Sequence, residues 1–428
     1  MTEEYRAYGY RWVVLAVFCL IMGVQAIQWL NFAPVETSVE TVLGVSPFLI
    51  RILALSGSLI SALLMPFAGS FSDRHGFKMG TGLGVILLLV AALIKGVSLH
   101  LFSDPSTRYA AFLLAQVMVG LAGAFTFSNL SKMPSRWFPV KQRAFANGMS
   151  AMGMYLGIAL GLPLIAWFSG IPESADLVAR QQGLERMLLI TGLIMAGAAL
   201  LFFLLVRENP PTPAGPDEEL ESSTLRQTFP GLVRIGNFRA LMLISFFGYG
   251  IYIGLTVTME KIILFHGEGF TTGLASMVAG LITAGGILGS LVLPSASEKV
   301  GLRKPFIATA AAVSVPMVLV IGLWPSIAAN ISGAIILGFF ILPTVPIMFT
   351  VAGEMKEIGP RLASTATGTL MATGNIGGVL IALLMEVLSR PGGDYRLSVV
   401  LLSGCALGAM LVAIIRLKET GPRSRPGS

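Results

Sequence analysis

The residues of this 428-residue chain able to do chemistry are few, because 54% of its side chains are hydrophobic and only 12% are charged. The densest group is Gly69-Ser-Phe-Ser-Asp73-Arg74-His-Gly76-Phe-Lys78. Gly69 and Gly76 permit close helix approach and a tight turn, and Asp73 can accept hydrogen bonds from a helix N-terminus or from a guanidinium across a packed interface. Arg136 and Arg361 stand at the corresponding ends of two other apolar runs and are the candidate partners. The bland alternative is a solvated charge run.

A second group is Gln25, Gln28 and Trp29, spaced i, i+3 and i+4 and therefore on one helical face. Lipid cannot satisfy glutamine amides, so that face should point into a bundle. There the Trp ring would bind a quaternary ammonium or stack on a flat aromatic substrate; the competing reading makes Trp29 an interfacial anchor. Gln116, Asn129, Tyr155, Tyr249, Tyr252 and Asn375 are further candidates for substrate contact. Each serves equally well as an interhelical hydrogen bond worth ~0.6 kcal/mol. Glu260 beside Lys261 reads as an outer gate or proton site, and Lys95 and Lys261 are expected to snorkel to the outer surface. The expectation is secondary-active or facilitative transport, and the lack of a charge assigned to the midplane, where proton relays keep a carboxylate, leans toward facilitated or potential-driven movement.

No phosphate-binding loop and no His or Cys cluster at metal spacing is present, and His75, His100 and His266 lie on different segments. The sequence therefore predicts no enzyme activity, no metal and no cofactor. Cys19 and Cys405 read as small core hydrophobes.

The elements that must position these groups are apolar runs near 12–33, 47–68, 79–101, 109–133, 143–168 and 186–206, then 239–264, 271–293, 305–325, 328–352, 362–388 and 395–416. Each is long enough for the ~20 residues of a bilayer-spanning helix. This excludes a soluble domain and, with it, a nucleic-acid partner for the net charge of +7. The first run lacks a small-x-small cleavage site and is expected to be retained. Domain boundaries follow: a six-helix bundle at 1–206, a cytoplasmic linker at 207–238 rich in Pro and acidic residues, and a second six-helix bundle with its tail at 239–428.

Of the 29 Lys and Arg, twenty-one fall on the face holding the termini and linker, six on the other, and Lys95 and Lys261 inside runs. The positive-inside rule then places both termini in the cytoplasm. Asp73-Arg-His-Gly-Phe-Lys78 after the second run and Glu298-Lys-Val-Gly-Leu-Arg303 after the eighth share acid, base, x, Gly, x, base, as duplication of a six-helix unit would produce. Glycines 153, 157 and 161 of the fifth run form a packing ridge.

The Gly69–Lys78 segment resembles the G-x-x-x-D-R-x-G-[RK] signature of the major facilitator superfamily, in the loop where that family carries it. The resemblance implies an all-α membrane protein of twelve transmembrane helices in two six-helix bundles, working by alternating access. It also implies a cytoplasmic latch made of Gly69, Asp73, Arg74, Gly76, Lys78, Arg136 and Arg361. A narrower resemblance rests on Gln28-Trp29-Leu-Asn31-Phe-Ala-Pro34, Ile94-Lys95-Gly96, Pro134-Ser-Arg136-Trp137-Phe138 and Thr365-Ala-Thr-Gly-Thr-Leu-Met-Ala-Thr-Gly374-Asn-Ile-Gly377. These segments look like the feline leukaemia virus subgroup C receptor-related transporters, a family connected with haem and with choline or ethanolamine. It implies a cation-binding role for Trp29. Where that family has an aromatic residue in span seven this chain has Val257, with Tyr249 and Tyr252 one to two turns earlier.

The expectation is a monomeric, multi-pass membrane transporter of a small-molecule substrate, in the cytoplasmic (inner) membrane if bacterial. The leading substrate is an organic cation such as choline. Haem, another organic metabolite, or a non-transporting sensor of the same fold are the alternatives.

Overall fold

The structure, a computed structural model, describes residues 6–32, 35–171, 176–214, 225–267, 269–270, 272–359, 361–388 and 394–424. The first group of helices is α1 (Arg11–Leu30), the short α2 (Glu36–Leu43), α3 (Pro47–His75), α4 (Phe77–Leu101), α5 (Pro105–Ser128), the short α6 (Lys132–Trp137), α7 (Arg143–Ser169) and α8 (Leu177–Leu205). After α9 (Leu225–Arg234) come α10 (Gly236–Leu264), α11 (Thr272–Val300), α12 (Lys304–Leu323), α13 (Ile327–Ile341), α14 (Thr344–Glu354), α15 (Ala363–Leu388) and α16 (Arg396–Ile415). Among the described residues ten helical stretches are long and apolar enough to cross a membrane, with α5–α6 and α13–α14 each forming one. An eleventh is made by Val140–Gly161 and Pro163–Ser169, bent by 43°, where Pro163 lacks the donor for the preceding turn. The 29-residue α3 is the twelfth long helix.

Local chemistry sets the boundaries. Asp104 caps α5 by accepting from Thr107 N at 2.9 Å, ahead of Pro105, and Asp176 caps α8 through Ala179 N at 2.8 Å. Gly76 separates α3 from α4 at φ +94°, and Gly301 separates α11 from α12 at φ +73°; that backbone region strains any residue with a Cβ. Part of the stretch expected to be linker is ordered, since α9 occupies residues 225–234. Its acidic run, Asp217–Glu221, lies outside the described residues.

Within the first bundle α1 packs on α7, where a Cβ on Gly153 or Gly157 would collide with the backbone of Cys19 or Gly23. Within the second, α10 packs on α15 and α12 on α16. The bundles meet where α3 lies against α15 and α7 against α11. A Cβ on Gly69 would collide with the Ser364 carbonyl, and one on Gly368 with that of Met65.

The N-terminal tail, the start of the linker, both glycine turns and the C-terminal tail gather at one end. Arg6 N donates to Pro213 O at 3.1 Å and Tyr10 OH to Leu205 O at 2.7 Å. Arg423 N donates to Gly301 O at 3.2 Å. Because most Lys and Arg of the loops belong to this end, we call it the basic end.

Lys95 departs from expectation. It does not snorkel: the side chain is fully buried, with Nζ 3.2 Å from Gln28 O and 5.1 Å from the Phe32 ring centroid. The face of α4 that carries it packs inward, so a carbonyl and a ring stand in for water.

Candidate functional site: a central cavity above a closed basic end

A cavity lies between the bundles. α1 contributes Gln25 and Trp29, α7 contributes Tyr155, α10 contributes Tyr249 and Tyr252, and α15 contributes Asn375. Phe127 and the methionines 65, 154, 348 and 371 complete much of the wall, and none of the described lining residues is charged. Sequence reasoning missed these methionines, because a Met in an apolar helix carries no sign of which way it faces.

Several rings are held in place. Trp29 Nε1 donates to Ser58 Oγ at 2.9 Å, which fixes the indole against α3. Tyr249 OH donates to Met371 Sδ at 3.0 Å, Tyr252 OH lies 3.3 Å from Thr283 Oγ1, and Tyr155 OH donates across the bundles to Leu342 O at 3.5 Å. Two polar atoms on the wall are unengaged. Gln25 donates its amide to Val119 O at 3.1 Å while its Oε1 has no hydrogen-bond partner among the described residues, and Ser61 Oγ likewise has none among them. A buried acceptor without a donor costs about 1–3 kcal/mol, which a ligand hydroxyl or N–H would recover.

Three residues expected at this site are elsewhere. Gln28 faces α8 instead, donating to Thr191 O at 3.1 Å and accepting from Asn31 at 3.0 Å. At about 100° per residue it stands a full residue step around the helix from Trp29, so the face shared by Gln25 and Trp29 excludes it. Gln116 sits behind the wall, its amide 3.4 Å from Trp29 O. Asn129 belongs to the basic end, bonded to Ser72 Oγ at 3.0 Å and Ser364 Oγ at 2.9 Å.

Below the cavity the basic end is closed. Asp73, at the end of α3, accepts from Ser364 N (3.1 Å), Thr365 N (2.8 Å) and Thr365 Oγ1 (2.6 Å), all in the first turn of α15. A carboxylate there meets unpaired amides and the positive end of the helix dipole. The fully buried Lys132 completes the cluster, with Nζ 2.6 Å from Asp73 Oδ1 and 3.1 Å from Arg361 O. Ser131 bonds Ala363 O at 3.1 Å and also contacts Thr367 Oγ1. The expected pairing of Asp73 with the Arg136 or Arg361 guanidinium is replaced by Lys132 and helix amides; Arg361 takes part through its carbonyl. Lys132 escaped notice because it was read only as a topological charge.

The glycine turn is braced by the start of the linker stretch. Glu208 Oε1 and Oε2 accept from Phe77 N at 2.9 Å and Lys78 N at 2.7 Å, capping α4 beside Gly76. Glu208 lies 131 residues from Phe77 in the chain, a separation that gave no local signal. At the opposite end, Lys261 stands 5.8 Å from the Tyr395 ring centroid, and the side chain of Glu260 lies outside the described residues.

Comparison with known proteins agrees with this architecture. Residues 13–382 match the family model for the Major Facilitator Superfamily. Solute carrier family 49 member A3 of Xenopus tropicalis is 26% identical over 400 residues, covering 91% of this chain and 80% of that one. The choline/ethanolamine transporter FLVCR2 of Rattus norvegicus is 25% identical over 426 residues, covering 95% and 74%. Among solved structures, the fold matches that of the superfamily transporter FucP in its outward conformation with a TM-score of 0.78 at 14% identity, covering 96% of this chain and 100% of that one.

Proposed function

The chain belongs to the major facilitator superfamily, and on that premise we propose that this transporter carries a small organic cation, of the choline or ethanolamine kind, through the central cavity. The observation that carries this reading is a wall of Trp29, Tyr155, Tyr249 and Tyr252 with no charged residue among its described lining. Aromatic faces attract a desolvated ammonium by about 2 kcal/mol or more, and a quaternary nitrogen asks for no hydrogen bond in return. The free acceptors Gln25 Oε1 and Ser61 Oγ suit the hydroxyl or N–H such a substrate carries. The FLVCR2 relative is named for choline and ethanolamine. Haem fits less well, because its propionates would meet no Lys, Arg or His on the wall.

The basic end is taken as cytoplasmic, with bundles at 1–206 and 239–428 joined by the 207–238 linker, and the protein as a monomer. The conformation is then outward-facing: the Asp73 cluster shuts the inner side while the cavity is reached from the outer one. Transport follows when substrate binding draws the outer ends together and the cluster breaks.

A scintillation proximity assay with radiolabelled choline tests this reading. Trp29→Ala is expected to weaken binding about 30-fold, as loss of ~2 kcal/mol requires, with the thermal midpoint of the unliganded protein little changed. Absence of saturable binding of choline and ethanolamine to the parent protein would sink the cation reading.

A further inference from the structure

A second concavity lies at the basic end, away from the central cavity. It is a broad groove open to solvent. Its walls are the start of α10, the end of α16, the turns after α14 and the approach to α7. Five bases converge on it: Arg143, Arg239, Lys356, Arg416 and Lys418. Two lining carboxylates are already engaged, Glu354 by Arg303 at 2.8 Å and Glu419 by the amides of Arg303 and Lys304 at 2.8 and 3.0 Å. That leaves Glu357 as the one exposed acid among its described lining residues. The groove is therefore an electropositive basin.

Its lip is apolar. Leu243 and Ile415, which line the groove from α10 and α16, are 48% and 71% exposed. On membrane-spanning helices those side chains face acyl chains. A free anion would satisfy the bases and leave this lip unused, whereas a phospholipid satisfies both. Arg143 comes from the first bundle and the other four bases from the second, so an occupant would touch both sides of the interface that the Asp73 cluster closes.

We propose that this groove binds the phosphate headgroup of an anionic phospholipid, with Arg239, Arg416 and Lys418 as its principal bases and the acyl chains running down past Leu243 and Ile415. Seated there, the lipid links the bundles and favours the closed basic end. Neither the cavity nor the identity of its substrate enters this argument.

The test is thermal unfolding of the full-length protein titrated with phosphatidylglycerol against a phosphatidylcholine background. The parent protein should gain stability with phosphatidylglycerol. In Arg239→Gln/Arg416→Gln the half-saturating mole fraction should rise roughly 30-fold, since each base near an anionic headgroup contributes about 1 kcal/mol. A control with equal charge loss at the same end but outside the groove, Arg234→Gln/Lys299→Gln, should behave as the parent. The midpoint in pure phosphatidylcholine reports whether each variant is folded; if the double variant is not, Arg416→Gln alone is titrated, with roughly a 5-fold shift expected on the same basis. The proposal is overturned by an equal response to both lipids, by an equal loss in the control, or by soluble glycerol phosphate reproducing the stabilisation without lipid.

Discussion

The two bundles close the basic end with the same device built to different strengths. Asp73 at the end of α3 caps the first turn of α15 in the opposite bundle; Glu298 at the end of α11 reciprocates, accepting from Phe145 N at 2.9 Å in the first turn of α7. Behind each acid is a positive-φ glycine and a distant glutamate capping the next helix, Gly76 with Glu208 and Gly301 with Glu419. The buried bases differ. Lys132 binds Asp73 and reaches the Arg361 carbonyl across the interface, while Arg303 is committed to Glu354 within its own bundle. One clasp therefore builds a desolvated ion pair of the first bundle into the interface, since its acid caps α15 and its ammonium donates to Arg361 O. The other fastens the bundles with a helix-capping hydrogen bond and leaves its ion pair to stiffen one side.

The difference predicts unequal consequences when each acid is removed. Asp73→Ala strands a fully buried ammonium, a loss of about 3–5 kcal/mol. Glu298→Ala forfeits a charge-assisted bond worth about 1.5–3 kcal/mol. Spin labels at Lys141→Cys and Lys299→Cys, exposed residues of opposite bundles, in a background with Cys19 and Cys405 replaced by Ala, would read the basic-end separation. Asp73→Ala should populate a widened distance and cut transport about tenfold or more, with membrane insertion intact; Glu298→Ala should widen it less. Equal widening would break the asymmetry.

Lys132→Met sharpens the same point with a smaller expected effect. Asp73 keeps its three donors in the first turn of α15, so closure should weaken less than in Asp73→Ala. If the ammonium matters chiefly as the partner of Asp73, the double variant Asp73→Asn/Lys132→Met should recover part of the single-variant loss, with a coupling of about 1–3 kcal/mol in a double-mutant cycle on the same distance equilibrium. Strict additivity would mean that Lys132 acts through Arg361 O alone.

What was legible in the sequence follows the range of each interaction. The spans were readable because a run of apolar residues is its own evidence in a bilayer, and the two glycine turns because acid, Gly and base lie within six positions. The face shared by Gln25 and Trp29 followed from helical period, but the same reasoning admitted Gln28, since spacing i, i+3, i+4 covers an arc wider than a cavity wall. Lys95 was misread for a related reason. Distance from the helix end suggested snorkelling, whereas its fate is decided by Gln28 O and Phe32 on a neighbouring helix. Glu208 and Glu419 were invisible because each acts on a turn more than a hundred residues away.

The smallest expected effect separates the two glycine turns. Ala at either position must adopt a positive-φ backbone at a cost of about 1–3 kcal/mol; Gly76 lies at φ +94° and ψ 160°, Gly301 at φ +73°. The surroundings add to the first cost only. A Cβ on Gly76 would overlap the Glu208 carboxylate that caps α4, so relieving the clash means giving up that cap. At Gly301 the nearest atom is the Arg423 Cβ at 3.2 Å, in a terminal tail able to shift by a few tenths of an ångström. Gly76→Ala should therefore lower the thermal midpoint more than Gly301→Ala, the excess being the lost cap, about 0.5–2 kcal/mol. In a Glu208→Ala background, where both the cap and the clashing side chain are already gone, the two alanine variants should converge. If they stay apart, the turns differ in backbone strain and the cap is not what distinguishes them.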